Sequence, residues 1–161
     1  MRDRYCVQPD ELGGEREMSD REMSDQEMSD QGLLEQFETV NLPIESFRHT
    51  EHVRVAFLYL STFPILEALQ RFCAALQRFA AAHGKSKLYH ETITWAYIFL
   101  IQERMARAGR KQTWEEFAQN NVDLLTWKDG VLTRFYREET LRSDLAKEIF
   151  LFPDRYVEDN R

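Results

Sequence analysis

The chain has 161 residues, of which 43% are hydrophobic and 12% aromatic, enough for one domain with a buried core and hardly enough for two. Its formal net charge of −7 comes entirely from residues 1–36, which hold four Arg and eleven Asp or Glu. The rest of the chain holds 17 basic and 17 acidic residues, so it lacks the basic stripe of a nucleic-acid-binding domain.

Cysteine content and hydropathy restrict the class of protein further. The two cysteines, Cys6 and Cys73, are far apart, which argues against a disulfide framework and against a cysteine-based zinc site. The first residues lack the apolar run of a signal peptide. The longest hydrophobic stretches, "VAFLYL" and "AYIFLI", are too short to span a bilayer. We therefore expect a cytoplasmic protein with no nucleic-acid or membrane partner. The oligomeric state stays open.

The N-terminal segment is a low-complexity repeat. Residues 16–31 read "REMSDREMSDQEMSDQ", with Met18, Met23 and Met28 at a five-residue period that fits neither a helix nor a strand. This pattern predicts a disordered tail over residues 1–32, whose deletion should leave stability nearly unchanged. A methionine-rich copper(I) tract is the less favoured alternative.

Residues 33–161 are predicted to form a single all-α domain. A short helix, "GLLEQFETV", leads to Pro43. The next helix carries "FRHTEHVRVAFL"; Ser46 or Thr50 is its candidate cap, and Pro64 ends it.

The remaining helices follow in quick succession. The segment "PILEALQRFCAALQRFAAAHG" contains "ALQRF" twice, seven residues apart, and ends at Gly84. A third main helix is predicted from a cap at Ser86 to Gly109, and a fourth opens with a capping box of Thr113 and Glu116. We predict a compact bundle of about four main helices with short C-terminal helices. The apolar seam of the second main helix consists of Ile65, Leu69, Phe72, Leu76 and Phe79.

Three histidines are the candidate metal ligands. His49 and His52 lie one turn apart at the start of the first main helix, and His90 lies near the start of the third. If these helices pack parallel, their N-terminal ends meet, and the three imidazoles form a site for a divalent transition metal such as zinc or iron. Glu51 or Glu91 is then the candidate base for water activation.

Two alternatives stay open for the histidines. They line a metal-free site for a small polar molecule, with Tyr59, Thr94 and Tyr97 as candidate pocket-lining residues. Or they are structural groups in a non-catalytic interaction or regulatory module. Two arginines beside the histidine turn, Arg48 and Arg54, are candidates to hold a carboxylate or phosphate, although pairing with Glu45 or Glu51 is the simpler interpretation.

Three motifs together carry a resemblance. The runs "FRHTEHVRVAFLYL", "YHETITWAY" and "FLFPDR" resemble small uncharacterised bacterial helical proteins with the pattern F-x-H-x-x-H-V, then Y-H-x-T, then P-D-R. The likeness covers roughly residues 37–155 and leaves out the repeats. It implies a family but brings no activity with it.

Overall fold

The computed structural model describes residues 28–109 and 111–155, and every regular element in them is helical. The all-α prediction is confirmed. The α-helices are α1 (Asp30–Glu38), α2 (His49–Thr62), α3 (Ile65–Ala82), α4 (Glu91–Ala108), α5 (Trp114–Asn120), α6 (Val122–Leu125), α7 (Glu138–Arg142) and α8 (Asp144–Glu148). Three 3₁₀ turns connect them, at Ile44–Ser46, Ser86–Leu88 and Val131–Arg134.

Helix α2 lies at the centre of the bundle. It packs against both α3 and α4 and also contacts α1, α5 and α6. Phe63 and Pro64 are extended, so the chain turns there and α3 runs back along α2. Of the predicted α3 seam, Leu69, Phe72 and Phe79 are buried.

The start of α2 differs from the prediction. The N-cap is Arg48, and a carboxylate oxygen of Glu51 accepts a hydrogen bond from the Arg48 backbone N–H at 3.0 Å. Ser46 instead ends the preceding 3₁₀ turn, while Thr50 lies inside the first turn of the helix. The glutamate at the third helical position thus satisfies the N–H of the N-cap residue, which is a different half of the capping box from the one that we assigned to a hydroxyl.

The start of α4 was also predicted too early. Ser86 begins only a 3₁₀ turn, and the α-helix starts five residues later at Glu91. The extended residue His90 is the cap, because its Nδ1 accepts a hydrogen bond from the Ile93 N–H at 3.2 Å. Histidine is an unusual cap, and propensity alone does not predict it.

The end of the third repeat copy, residues 28–30, belongs to the helical domain. Ser29 caps α1 by accepting a hydrogen bond from the Gly32 N–H at 3.1 Å. Asp30 forms a salt bridge with Arg54 at 2.7 Å, and Arg54 also donates to the Met28 carbonyl at 3.0 Å. The helical domain thus begins inside the segment that we assigned to the tail, and the rest of that predicted tail, residues 1–27, lies outside the described residues.

The C-terminal third covers one side of α4. Helix α8 packs on α4, and the fully buried Thr92 hydroxyl donates to the Ile149 carbonyl at 2.8 Å while accepting from the Leu151 N–H at 3.0 Å. Asp154 of the P-D-R motif accepts from the Arg137 N–H at 2.8 Å, at the start of α7. Within the described ranges, every helix is too short or too polar to cross a membrane.

Candidate functional site: a histidine-lined cavity

His49, His52 and His90 line one cavity of about 250 Å³ between α2, α3 and α4. The first turns of α2 and α4 supply the histidines, and α3 supplies an apolar wall opposite them. The cavity is therefore mostly apolar, with its polar ring nitrogens on the α2 and α4 side, a common property of small-molecule sites. The α3 wall consists of Phe72, Leu76, Phe79 and Ala80.

His49 connects α2 to the short helix α6. Its Nε2 lies 2.9 Å from the Leu124 carbonyl oxygen and must carry the proton, because a carbonyl only accepts. Its ring packs edge-on against Tyr97 and lies 5.2 Å from the ring of Trp127. Burial lowers the pKa of His49, and the hydrogen bond to Leu124 partly opposes that shift. The ring is thus favoured in its neutral form, with Nδ1 as a lone-pair acceptor.

His90 has both ring nitrogens engaged. Its Nε2 donates to the Leu141 carbonyl of α7 at 2.8 Å, and its Nδ1 accepts from the Ile93 N–H. Burial lowers the pKa of His90, against the raising effect of the Leu141 bond. This histidine both caps α4 and anchors α7.

His52 is held by stacking. Its ring centroid lies 3.9 Å from that of Phe47, with the planes inclined by 23°. Burial lowers the pKa of His52 to about 3, with a smaller lowering contribution from His49 and a raising one from a hydrogen bond to the Phe47 backbone. His52 is therefore uncharged at neutral pH.

The arrangement of donors bears on the metal hypothesis. In residues 28–109 and 111–155, no group of three or more His, Cys, Asp or Glu side chains is arranged to hold a metal ion. His90 could ligate a metal only by giving up one of its two hydrogen bonds, since each ring nitrogen has one lone pair or one proton to offer. His49 Nδ1 and the His52 ring are the more available ligands.

The predicted pocket-lining residues separate into two groups. Thr94 and Tyr97 line the cavity on α4, beside His90. Tyr59 lies elsewhere, since its hydroxyl donates to Glu38 of α1 at 2.7 Å. Burial and the neighbouring Glu38 carboxylate raise the pKa of Tyr59, so it remains a protonated donor.

The two candidate bases both have structural partners. Glu51 closes the capping box of α2 through the Arg48 N–H. Glu91 accepts a hydrogen bond at 2.6 Å from the hydroxyl of Tyr89, which lines the cavity. Burial raises the pKa of Tyr89, with Cys73 and Glu91 adding to the shift. Glu91 thus reaches the cavity only through Tyr89.

Several lining residues were not assigned to a site by the sequence pattern. The seam residues of α3 were predicted as core, and Trp127 belongs to no predicted site. Gly130 keeps the turn beneath Trp127 tight, because a Cβ there would lie 2.7 Å from the Thr126 carbonyl oxygen. The two arginines that flank the histidine turn in the sequence have different surroundings. Arg54 forms a salt bridge with Asp30 rather than with Glu45 or Glu51, and Arg48 lines the cavity.

No family model, curated protein or solved structure matches this chain. The resemblance to small bacterial helical proteins therefore stays a prediction. The structure does give the motif residues physical roles: His90 and Thr92 of Y-H-x-T, like Asp154 of P-D-R, hold the C-terminal segments in place.

Proposed function

We propose that the protein binds a small, largely apolar organic molecule in the cavity between α2, α3 and α4. The observation that carries this proposal is a mostly apolar cavity whose α2 and α4 side holds three histidines, the pKa of each lowered by burial. Such a cavity stabilises an apolar body through burial, and its few polar atoms orient the ligand.

Unpaired polar atoms on the cavity wall support ligand binding. Thr94 is 8% exposed, and its hydroxyl makes no hydrogen bond with the described residues. His49 is 9% exposed, and its Nε2 alone makes a side-chain hydrogen bond to another described residue. Because both residues line the cavity, these atoms are positioned to bond a ligand or an ordered water.

A matched pair of alanines tests the proposal. Ala80 lines the cavity, whereas Ala81 is its exposed neighbour on the same helix. Single-ring aromatic and short aliphatic compounds should bind the wild type and Ala81→Leu in saturation-transfer NMR. They should not bind Ala80→Leu, because the added side chain fills the cavity. Equal binding to both variants, or no binding to the wild type, would contradict the proposal.

The same samples address the metal hypothesis. Binding to a cavity without a metal should persist after dialysis against EDTA. Elemental analysis that finds stoichiometric zinc or iron in the wild type, and none in His52→Ala, would instead favour the metal site. Candidate bases Glu51 and Glu91 would then become relevant to water activation.

A purely structural role for the histidines is the second candidate, and the carbonyl bonds of His49 and His90 favour it. In that case the protein is an interaction or regulatory module. The Ala80→Leu and Ala81→Leu variants separate this candidate from ligand binding. If the histidines are only structural, no compound should bind in a way that Ala80→Leu abolishes.

A further inference from the structure

The opening of the cavity carries unpaired positive charge. Arg48 and Lys85 are exposed and line the cavity, beside the 3₁₀ turns Ile44–Ser46 and Ser86–Leu88. Within the described residues neither forms a salt bridge, and Arg48 is engaged only through Nε, which donates to the Glu45 carbonyl at 3.4 Å. Glu45 is the one carboxylate among the described lining residues. Glu51 and Glu91 lie behind the lining, where they accept hydrogen bonds from the Arg48 N–H and the Tyr89 hydroxyl. The charged ends of Arg48 and Lys85 are therefore the cationic groups that border the cavity.

Two helix N-termini add to this potential. Helices α2 and α4, of 14 and 18 residues, both begin at residues of the cavity wall, with Arg48 and His90 as their N-caps. The N-terminal end of a helix carries partial positive charge and favours anions. Glu51 and Glu91 in the first turns of α2 and α4 offset part of that charge, so Arg48 and Lys85 remain the main anion-binding groups of the opening.

The interior differs from the opening. Its histidines are favoured in their uncharged forms, and the ring N–H groups of His49 and His90 already donate to backbone carbonyls. The unpaired atoms there, His49 Nδ1 and the Thr94 hydroxyl, provide little to stabilise a buried anion. A negative group would therefore stay at the opening, with an apolar body directed toward α3.

We propose that the ligand of this cavity is a small organic carboxylate, whose apolar body packs against α3 and whose carboxylate lies between Arg48 and Lys85. This inference rests on the proposed ligand-binding function. It adds the chemical class of the ligand and the residues that select it. A guanidinium and an ammonium together provide the charge-assisted hydrogen bonds that a carboxylate requires.

Three compounds that share one apolar group and differ in their polar group test the chemical class of the ligand. Phenylpropanoate, phenylpropanol and phenylpropylamine share a single ring and a short chain, matched to a cavity smaller than most drug sites. Dissociation constants from NMR titration of the full chain should rank the acid tightest, the alcohol about tenfold weaker and the amine weakest.

Substitutions that remove one positive charge test whether Arg48 and Lys85 bind the carboxylate. Lys85→Gln should reduce the preference for acid over alcohol, whereas Lys87→Gln should leave it unchanged, since Lys87 is exposed two residues away and outside the cavity lining. Arg48→Gln should act like Lys85→Gln. Its control is Arg71→Gln, on the exposed face of α3 and paired with Glu67. Alcohol affinity should be the same in all four variants.

The outcomes separate this inference from the proposed function. Equal affinity for acid and alcohol, with both lost in Ala80→Leu, would overturn the carboxylate assignment and leave the binding function intact. An acid preference that survives both cavity-lining charge variants would also overturn it. Failure of all three compounds to bind the wild type would overturn the binding function itself.

Discussion

His49 and His90 each donate a ring N–H to a carbonyl of a short C-terminal helix, Leu124 of α6 and Leu141 of α7. Their position near helix starts could be predicted from the sequence, and so could their common location between α2 and α4. Their hydrogen-bond partners could not, because α6 and α7 are too short for periodicity to place them in space.

The uncharged state of His52 predicts a specific pH dependence. Its pKa lies near 3 in the folded chain and at the ordinary 6.5 when unfolded, so below 6.5 the unfolded chain binds the extra proton. The contribution of neutral His52 to the free energy of unfolding is full above pH 6.5. It falls as the pH decreases toward 3, with a slope that approaches about 1.4 kcal/mol per pH unit. Urea denaturation at several pH values should show that His52→Leu removes this part of the slope. An unchanged slope would contradict the assignment.

A substitution of Thr92 tests whether its hydroxyl holds the C-terminal segment against α4. Its hydroxyl is 0% exposed and serves both the Ile149 carbonyl and the Leu151 N–H. Thr92→Val leaves both backbone groups unpaired and should cost about 1–3 kcal/mol. Hydrogen exchange at the Leu151 amide should accelerate. The control is Thr62→Val, at an exposed position whose hydroxyl bonds only within α2, and equal losses in both variants would contradict this role.

At the scale of elements, the interiors of helices were more predictable than their starts. Pro64 and Gly84 bound α3 as expected, and the Thr113 and Glu116 capping box does open α5. The starts of α2 and α4 were misplaced because Arg48 and His90 are poor caps by propensity. Glu51 bonds the Arg48 N–H, and the His90 ring, held by the Leu141 carbonyl, bonds the Ile93 N–H. Arg48 and His90 also line the cavity, so departure from the local rule coincides with the candidate site.

The contacts at the start of α1 predict which N-terminal truncations destabilise the helical domain. A chain that starts at Leu33 lacks the Ser29 cap and the Asp30 partner of Arg54, whose side chain is only 11% exposed. Compared with a chain that starts at Met28, it should lose about 1–3 kcal/mol. Thermal or urea unfolding of the two chains measures the difference. Equal stability would restore the boundary at residue 32 and show that the third repeat contributes nothing.

At the scale of the whole molecule, the sequence predicts a helical bundle with histidines at one end, and a pocket beside them only as one of three alternatives. Phe72, Leu76 and Phe79 have the spacing of an ordinary core seam, and only the packing of α3 beside α2 and α4 leaves space in front of them. The volume of such a gap depends on small shifts between helices. Periodicity carries no information about them.

The most direct test of the account is ¹⁵N NMR of the histidine rings during titration with phenylpropanoate. If the cavity is the ligand site, the ring nitrogens of His49 and His52 should shift in a saturable manner in the wild type and in Ala81→Leu. The same rings in Ala80→Leu should not respond. Shifts that persist in Ala80→Leu, or ring signals that stay constant while the compound binds elsewhere, would contradict the assignment of this cavity as the binding site.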